Sequence, residues 1–383
     1  MKTKVNEMDF QQEFPLDDSV TYLNHAAVAP WPIRTAKAVQ EFANQNTVYG
    51  SKHYMDWLKT ENLLRQQLAQ LINSNSTNEI ALLKSTSEGL SVIAYGIDFK
   101  PGDEVVISSE EFPSNRIVWE SLACKGVKLI EVELGNAPEE NLINACTSKT
   151  KLLSISSVQY GTGRVINLNK LGEHCSSTDT LFCVDAIQSI GAMPFDAQAC
   201  KADFVVADGH KWMLGPEGLA LFYCKKSAMP ALQLNQYGWH MIENAGNYAT
   251  KDWSVASSAK RFECGSPNML GIHALSASLS LVLEVGMERI SKRVQALTQY
   301  IRTKIQERPA LALLSDGNTL SGITTFRVAG MDSDTVYRML MDRSVMCACR
   351  GGGVRFSPHF YQDSSIIDRA FDILDDIIKQ QEA

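Results

Sequence analysis

Residues 204–223 read F-V-V-A-D-G-H-K-W-M-L-G-P-E-G-L-A-L-F-Y. The apolar runs at both ends of this stretch are typical of buried strands, so we expect Lys211 between them to lie at a sheet edge. Burial lowers the pKa of a lysine, and a neutral amine can form a Schiff base with a carbonyl cofactor. A surface lysine in a glycine-rich loop would give the same short pattern. The lysine alone therefore does not decide the function.

A second predicted strand, residues 181–185, ends in an acid. Asp185 is thus expected at the carboxyl end of a buried strand, where an ionised carboxylate needs a cationic or hydrogen-bonding partner. The protonated ring nitrogen of pyridoxal phosphate is such a partner. Gln188, on the following turn, could donate its amide to the phenolic oxygen of that cofactor. The alternative for Asp185 is a cap on the turn.

Three motifs follow one another along the chain: V-D-A-x-Q-x-x-G from Val184, A-D-F from Ala202 and D-G-H-K-W from Asp208. Their order resembles the class V aminotransferase family of fold-type I pyridoxal-phosphate (PLP) enzymes, whose relatives include cysteine desulfurases, selenocysteine lyases, kynureninase and isopenicillin N epimerase-like proteins. The resemblance extends from Tyr22 to Tyr361. It implies PLP as the cofactor and an α/β fold, with a large domain built on a mainly parallel seven-stranded sheet and a smaller α+β carboxy-terminal domain.

The alternation of short apolar runs and amphipathic stretches also predicts a mainly parallel sheet covered by helices. Ligands of such sheets bind outside the carboxyl ends of the strands. The pattern changes in the last third of the chain, where residues 269–305 predict a long helical stretch with a break near Gly286. We therefore divide the chain into a large PLP-binding domain, residues 21–265, and a small substrate-facing domain, residues 266–383 together with residues 1–20.

The composition argues against several classes of protein. The chain has 383 residues, of which 45% are hydrophobic and 21% charged, as is ordinary for a globular enzyme of two domains. Its net charge of −7 argues against nucleic-acid binding. The most apolar helical stretch, residues 275–285, is too short for a membrane span, and residues 1–7 lack an apolar signal core. We therefore expect a cytoplasmic protein whose nine scattered cysteines form no disulfide framework.

A phosphate site is predicted at S-T-S-E-G, residues 85–89, between a strand and a helix. Free amides at a helix start favour an anion, and the hydroxyls of Thr86 and Ser87 add donors. A plain capping box would look similar. The position matches the phosphate cup of the family, so the resemblance implies Thr86 and Ser87 as phosphate ligands and leaves Glu88 without a role.

The resemblance implies further cofactor contacts. Phe112 matches the residue that stacks on the pyridine ring, although a core phenylalanine is the alternative. Tyr160 stands where desulfurases usually present an asparagine to the phenolic oxygen, and its hydroxyl could make the same contact. His210 is expected to contact the phosphate or to orient the site. Asp208 replaces a phosphate-binding serine of many desulfurases, and it could pair with His210 or with the small domain.

A shared active site is implied by R-F-E-C-G-S-P-N, residues 261–268, which resembles the R-F-E-x-G-T-P-N motif of the family. In the family, the threonine reaches the phosphate bound by the neighbouring subunit. Ser266 keeps the hydroxyl, so the resemblance implies a homodimer with shared sites. A turn built on Gly265 and Pro267 is the alternative.

Substrate binding is predicted at both ends of the chain. Arg355 aligns with the carboxylate-binding arginine of the family, and its planar guanidinium suits a bidentate grip on an amino-acid carboxylate. A strand arginine in a surface ion pair is the alternative. Arg350 is expected at the mouth of the site. The turn at Asn24 and His25 resembles the substrate-facing loop of the family, with His25 as a candidate proton carrier or substrate contact.

The reaction follows from the cofactor, but the sequence leaves its outcome open. Lys211 is expected to remove the Cα proton of the bound amino acid while Asp185 holds the protonated ring. A desulfurase needs a cysteine on a mobile loop between two arginines, and here only residues 351–354 separate Arg350 from Arg355. We therefore predict first an aminotransferase-like enzyme acting on a small amino acid. The alternatives are a thiol-free lyase acting on a sulfur-containing substrate, a cysteine desulfurase or selenocysteine lyase, an amino-acid epimerase and a PLP-binding regulatory protein.

No metal site is expected. Cys347 and Cys349 form a lone C-x-C pattern without a second pair of ligands at suitable spacing. Either thiol would serve a desulfurase only if the segment before Arg350 were rearranged.

Overall fold

The computed structural model describes residues 10–249, 251–315 and 320–382. Residues 1–9, on which part of the small-domain prediction and the expected lack of a signal core rest, lie outside the described residues. Within the described ranges no single helix has both the length and the apolar composition of a membrane span. Only the consecutive helices Met269–Val285 and Met287–Gln306, bent by 84°, reach that length and composition together.

The strands are numbered in chain order. They are β1 (Thr21–Tyr22), β2 (Ile80–Leu83), β3 (Glu104–Ser108), β4 (Lys128–Val132), β5 (Thr150–Ser156), β6 (Leu181–Asp185), β7 (Phe204–Asp208), β8 (Ala220–Cys224), β9 (Leu311–Leu313), β10 (Thr324–Val328), β11 (Val345–Met346), β12 (Ala348–Arg350) and β13 (Gly353–Phe356).

The α-helices are numbered in the same way. They are α1 (Ile33–Tyr49), α2 (Tyr54–Leu71), α3 (Thr86–Gly96), α4 (Ser114–Glu120), α5 (Pro138–Ala145), α6 (Leu168–Ser176), α7 (Met269–Val285), α8 (Met287–Gln306), α9 (Ser333–Met341) and α10 (Ser365–Glu382).

The large domain is built on a sheet of seven strands in the order β2-β8-β7-β6-β5-β3-β4. Neighbouring strands are parallel except at β8, which runs antiparallel to both β2 and β7. Strands β3 and β7 are buried along their whole length, and β6 is buried after its first residue, as expected for a sheet covered on both faces. The predicted α/β fold with a mainly parallel seven-stranded sheet is confirmed.

The parallel strands bring functional side chains to one edge of this sheet. Strand β6 ends at Asp185 and β7 ends at Asp208, while α3 begins at Thr86 just after β2. The connection from β7 to the antiparallel β8 contains Lys211 and must turn back at the same edge. The carboxyl edge therefore collects the predicted cofactor contacts.

Trp212 fixes the turn that carries Lys211. Its indole is fully buried and donates to Gln188 Oε1 at 2.9 Å. The Trp212 carbonyl lies 3.1 Å from Nε2 of His359, which comes from the small domain. Gly322, also from the small domain, lies so close that a Cβ there would stand 2.2 Å from the indole ring. Packing from both domains therefore holds the residue beside the lysine.

The small domain contains an antiparallel sheet in the order β12-β13-β10-β9. The parallel pair β1-β11 ties the amino-terminal segment to this domain. The predicted break near Gly286 is confirmed, because α7 ends and α8 begins there. Helix α7 packs against α1 and α2, and its apolar side chains belong to the core of the large domain. The division of the chain at residue 265 stays a prediction.

Candidate active site

A cavity of about 280 Å³ opens at the carboxyl edge of the large sheet. Most of the predicted site residues line it, although they are far apart in the sequence. They are Thr86, Ser87, Phe112, Tyr160, Asp185, Gln188, His210, Lys211, Arg350 and Arg355, together with Asp208. The structure places these side chains together, and the role of each remains a prediction.

Lys211 and Asp185 form the charged centre of the cavity. Burial lowers the pKa of Lys211, and the nearby Asp185 carboxylate opposes that change. Burial likewise raises the pKa of Asp185, while a hydrogen bond from the Ile187 N–H to Asp185 Oδ1, at 3.1 Å, acts in the opposite direction. A cationic ring nitrogen would supply the counter-charge that a buried carboxylate needs. The donor set of this centre therefore fits PLP.

Phe112 covers the cavity beside the lysine. The Lys211 Nζ lies 5.7 Å from the centroid of the Phe112 ring. Tyr160 contacts this ring edge-on, with centroids 5.1 Å apart. Phe112 is 40% exposed, so it is not the core phenylalanine that the sequence left as an alternative. Its free face is available for a flat ring.

Glu111 is a buried acid next to Phe112 that the sequence analysis gave no role. Its Oε1 accepts from the Ser156 N–H at 2.9 Å and from Gln159 Nε2 at 3.3 Å. Its Oε2 accepts from Asn115 Nδ2 at 2.9 Å and from the Ser156 hydroxyl. Burial raises the pKa of Glu111 against the effect of these donors. The carboxylate ties the Phe112 turn to the end of β5.

The alternative helix cap occurs in the structure, and the predicted phosphate ligands lie beside it. Ser85 Oγ accepts from the Glu88 N–H at 3.1 Å and so caps α3. Thr86 and Ser87 line the cavity instead, and the Ser87 hydroxyl donates to Ser114 Oγ at 2.8 Å. Their position at a helix start suits a phosphate.

Asp208 is joined to the same helix start. The Thr86 N–H donates to Asp208 Oδ2 at 3.0 Å, and the Asp208 N–H donates to Thr86 Oγ1 at 3.1 Å. Nδ1 of His210 lies 3.7 Å from Asp208 Oδ1, beyond hydrogen-bond distance, and has no hydrogen-bond partner among the described residues. The structure thus places Asp208 beside His210, one of the two partners expected from the sequence.

Gln188 lines the cavity but is held by its neighbours. Its Nε2 donates to the Ala26 carbonyl at 3.0 Å, and its Oε1 accepts from the Trp212 indole. Nε2 has a second hydrogen. The predicted donation to a phenolic oxygen therefore depends on that hydrogen.

Arg355 is a buried cation without an ion-pair partner among the described residues. It is 2% exposed, its Nη1 donates to the Tyr160 carbonyl at 2.6 Å, and its Nε has no hydrogen-bond partner in the part of the chain that the structure describes. Burial, with a smaller effect of the nearby Arg350, lowers the pKa of Arg355 to about 10. A buried guanidinium of this kind needs an anion. The geometry matches the predicted carboxylate site and not a surface ion pair.

The placement expected for Asn24 and His25 is wrong, because neither residue lines the cavity. His25 is fully buried, with Nδ1 2.9 Å from the Ser357 carbonyl and Nε2 2.7 Å from the Tyr361 hydroxyl. Burial is also the main reason why the pKa of His25 is lowered. The next residues, 26–28, line the cavity instead. His25 joins the amino-terminal turn to the small domain, which no local pattern indicates.

Ser266 lies outside this cavity. It is exposed and borders a second depression beside Lys84 and Glu88. Glu217 is an acid at the main cavity that the sequence analysis did not select. Its position in the P-E-G turn after Lys211 is the signal that could have identified it.

One buried cluster has the residue types of a metal site. The side chains of Glu61, His240 and Glu263 lie together among the described residues. Arg65 forms ion pairs of 2.6 Å with both carboxylates. The guanidinium thus occupies the place of a cation and balances the acids itself.

The chain belongs to the class V aminotransferase family, since the family model for aminotransferase class V matches residues 21–361. It is a PLP-dependent enzyme, a transferase or a lyase.

Similar proteins and solved structures bear on which reaction the enzyme catalyses. A probable cysteine desulfurase of Methanothermobacter thermautotrophicus is 28% identical over 96% of this chain and 97% of its own length. The apo structure of a cysteine desulfurase from Thermococcus onnurineus NA1 has a TM-score of 0.87 and 25% identity, and covers 97% of this chain and 98% of its own. The cystine C–S lyase C-DES, solved with its product cysteine persulfide, has a TM-score of 0.86 at 20% identity, and covers 94% of this chain and 98% of its own. The names of the two cysteine desulfurases favour the C–S lyase alternative over the aminotransferase prediction.

Proposed function

We propose that the protein is a PLP-dependent C–S lyase. It acts on a sulfur-containing α-amino acid and releases the sulfur with the departing fragment, without passing it to a thiol of its own. The observation that carries the proposal is the composition of the cavity. Lys211, Asp185 and Arg355 meet there, and no cysteine lines it among the described residues. Relatives named cysteine desulfurase support chemistry at a C–S bond.

The segment between the two arginines supports the thiol-free form of the reaction. Strands β12 and β13 form a tight hairpin whose tip is Gly351 and Gly352. The tip packs on the turn after β5, because a Cβ on Gly351 would stand 2.5 Å from the Gly161 carbonyl. Such a hairpin has no room for a mobile cysteine loop.

The two nearby cysteines are poor nucleophiles. Burial raises the pKa of Cys347 to about 12 and the pKa of Cys349 to about 11. Both are therefore thiols at neutral pH, whereas sulfur transfer needs a thiolate.

The residues of the chain divide the work of elimination among them. Thr86 and Ser87 would hold the phosphate, Asp185 the ring nitrogen, and Arg355 the substrate carboxylate. When bound, PLP supplies an electron sink for the charge that develops at Cα. The Lys211 amine takes the Cα proton and delivers a proton to the leaving sulfur. The Cβ–S bond breaks, and its electron pair leaves with the sulfur. With one water, R–S–CH₂–CH(NH₂)–COOH gives R–SH, pyruvate and ammonia.

The test is a product analysis with the purified holoenzyme and a panel of cysteine, cystine and S-alkyl cysteines. We expect pyruvate and ammonia together with sulfide from cysteine, a persulfide from cystine and a thiol from the S-alkyl cysteines. Alanine with sulfur retained on the protein would identify a desulfurase, a keto acid with an intact C–S bond an aminotransferase, and an inverted substrate an epimerase. Each of these three outcomes would overturn the proposal.

The Cys347→Ala, Cys349→Ala double variant separates the two sulfur mechanisms. A lyase that does not use its own thiols should keep its rate of sulfur release in this variant. Loss of sulfur release, with the cofactor absorbance unchanged, would establish a desulfurase and contradict the proposal.

Substitution of Arg355 by lysine tests the carboxylate site. A lysine keeps the charge but loses the bidentate geometry, so we expect the KM to rise by roughly 30-fold, about 2 kcal/mol. Arg327→Lys on β10, whose side chain is exposed, is the matched control and should leave the KM unchanged. An unchanged KM in the Arg355 variant would exclude it as the carboxylate ligand.

We further propose that the enzyme is a homodimer in which Ser266 reaches the phosphate site of the partner. Its exposure and its position outside its own cavity support this arrangement. Mixing Lys211→Ala and Ser266→Ala subunits should restore activity, because each hybrid dimer contains one complete site. A monomeric mass in solution, or no gain on mixing, would refute it.

A further inference from the structure

The phosphate end of the cavity contains an acid. Asp208 is buried at the end of β7 and exchanges two hydrogen bonds with Thr86 at the start of α3. An anion at a helix start is stabilised by free N–H groups. In this protein the side chain of Asp208 already occupies the Thr86 N–H. A bound phosphate would therefore meet a carboxylate where it would otherwise find a donor.

The charged groups around Asp208 come from several elements. They are Asp185 on β6, His210, Lys211 and Glu217 in the connection to β8, Glu88 at the start of α3 with its ion-pair partner Lys84, and Arg350 and Arg355 on the small sheet. Lys211 would be bonded to the aldehyde of the cofactor, and Arg355 faces the predicted substrate site. Lys84 is paired with Glu88 at 3.5 Å. His210 and Arg350 are the basic groups that remain, and His210 Nδ1 already lies 3.7 Å from Asp208 Oδ1. A fully ionised phosphate would therefore share them with the Asp208 carboxylate.

We propose that Asp208 is a positioning residue that makes the cup select the singly protonated form of the cofactor phosphate. A phosphate monoester loses its second proton at a pH of about 6. A proton held between the phosphate and Asp208 would replace a repulsion by a charge-assisted hydrogen bond. The affinity for PLP therefore falls as the pH rises above that value, relative to an analogue without the phosphate. The inference needs only PLP as the cofactor and is independent of the proposed lyase activity.

The test compares PLP with pyridoxal, which lacks the phosphate. Dissociation constants for the apoenzyme are measured by absorbance from pH of about 6 to about 9. Both aldehydes react with the same lysine. The dissociation constant for PLP divided by that for pyridoxal therefore reports the contribution of the phosphate. We expect this ratio to rise by up to about tenfold per pH unit above the phosphate pKa. The ³¹P chemical shift of the bound cofactor should remain that of the monoanion at pH of about 7.5.

Asp208→Asn separates the charge from the hydrogen bond. The amide oxygen can still accept from the Thr86 N–H, while the negative charge is removed. At a pH of about 8.5 we expect this variant to bind PLP about tenfold more tightly relative to pyridoxal than the wild type does, with a flatter pH dependence of the ratio. Pyridoxal serves as the reference in each protein, because the Asp208 carboxylate also raises the pKa of Lys211. Thr86→Val is the matched control. It should weaken PLP binding but keep the wild-type pH dependence, because the carboxylate remains.

Two results would overturn the proposal. One is a wild-type ratio that does not change with pH, or a ³¹P shift typical of the dianion. The other is an Asp208→Asn variant with wild-type PLP affinity and pH dependence, which would make Asp208 a purely structural link. If that variant does not fold, the two wild-type measurements still decide.

Discussion

Glu111 shows how a single buried residue can organise a cofactor site from behind. It accepts hydrogen bonds from Ser156, Asn115 and Gln159, and the next residue is Phe112, which covers the cavity. A carboxylate suits this position because it only accepts. The network leaves no local pattern in the sequence, since Ser156 and Gln159 lie more than 40 residues after Glu111.

Glu111→Gln should therefore destabilise the protein. The new amide group would point N–H donors at other donors, and we expect the free energy of unfolding to fall by about 2 kcal/mol. Urea denaturation of the apoenzyme measures this change in the free energy of unfolding. Glu120→Gln, in an exposed ion pair with Arg116, is the control and should change stability by less than about 0.5 kcal/mol. Equal effects of the two substitutions would contradict the role given to the network.

Lys211 should react at a lower pH than an ordinary lysine. Only the neutral amine attacks an aldehyde, so a lowered pKa moves the onset of reactivity downward. The rate of Schiff base formation between the apoenzyme and pyridoxal, followed against pH, measures the onset. Asp185→Asn removes a charge that raises the lysine pKa, and it should move the onset lower still. An onset at the ordinary value, pKa of about 10.4, would contradict this.

At the scale of elements, the β12-β13 hairpin lies where a desulfurase would need a mobile cysteine loop. The contact made by the hairpin tip can be tested with two neighbouring glycines. Gly351 has φ +59° and faces the Gly161 backbone, whereas Gly352 has φ +78° and open space. Gly352→Ala should cost about 1 kcal/mol from backbone strain alone. Gly351→Ala adds a clash that pushes the hairpin from the cavity, so we expect a greater loss of stability and a raised KM. A similar KM in both variants would show that the hairpin tip does not position the arginines.

Elements were predicted best where one local signal suffices. The apolar run that ends at Asp185 predicts β6 with the observed bounds, and the break at Gly286 follows from the glycine. The packing of α7 could not be predicted, because an apolar helix surface alone does not indicate which hydrophobic core the helix joins. Helix α7 packs against α1 and α2, which lie roughly 200 residues or more before it in the chain.

At the scale of the whole molecule, the sequence predicted the part of the site that motifs encode. Lys211, Asp185, Phe112 and Arg355 meet at the cavity as the family resemblance implies. His25 was misplaced because its environment depends on Ser357 and Tyr361, more than 300 residues away in the sequence. Side chains that join distant segments leave no local pattern, so only the fold could place them.

The two domains meet at Trp212, and this contact should control both stability and cofactor binding. Gly322 lies against the indole, so Gly322→Ala forces a Cβ to within 2.2 Å of a buried ring that cannot move freely. Overpacking of this kind costs about 2 kcal/mol. Because Lys211 precedes Trp212, the variant should also bind PLP more weakly.

Gly330→Ala, with φ +73° and no described atom within 4 Å of the new Cβ, is the control. It should lose stability through strain but keep its PLP affinity. Thermal unfolding with and without PLP measures both effects, and an unchanged PLP affinity in Gly322→Ala would show that the domain contact does not position the lysine.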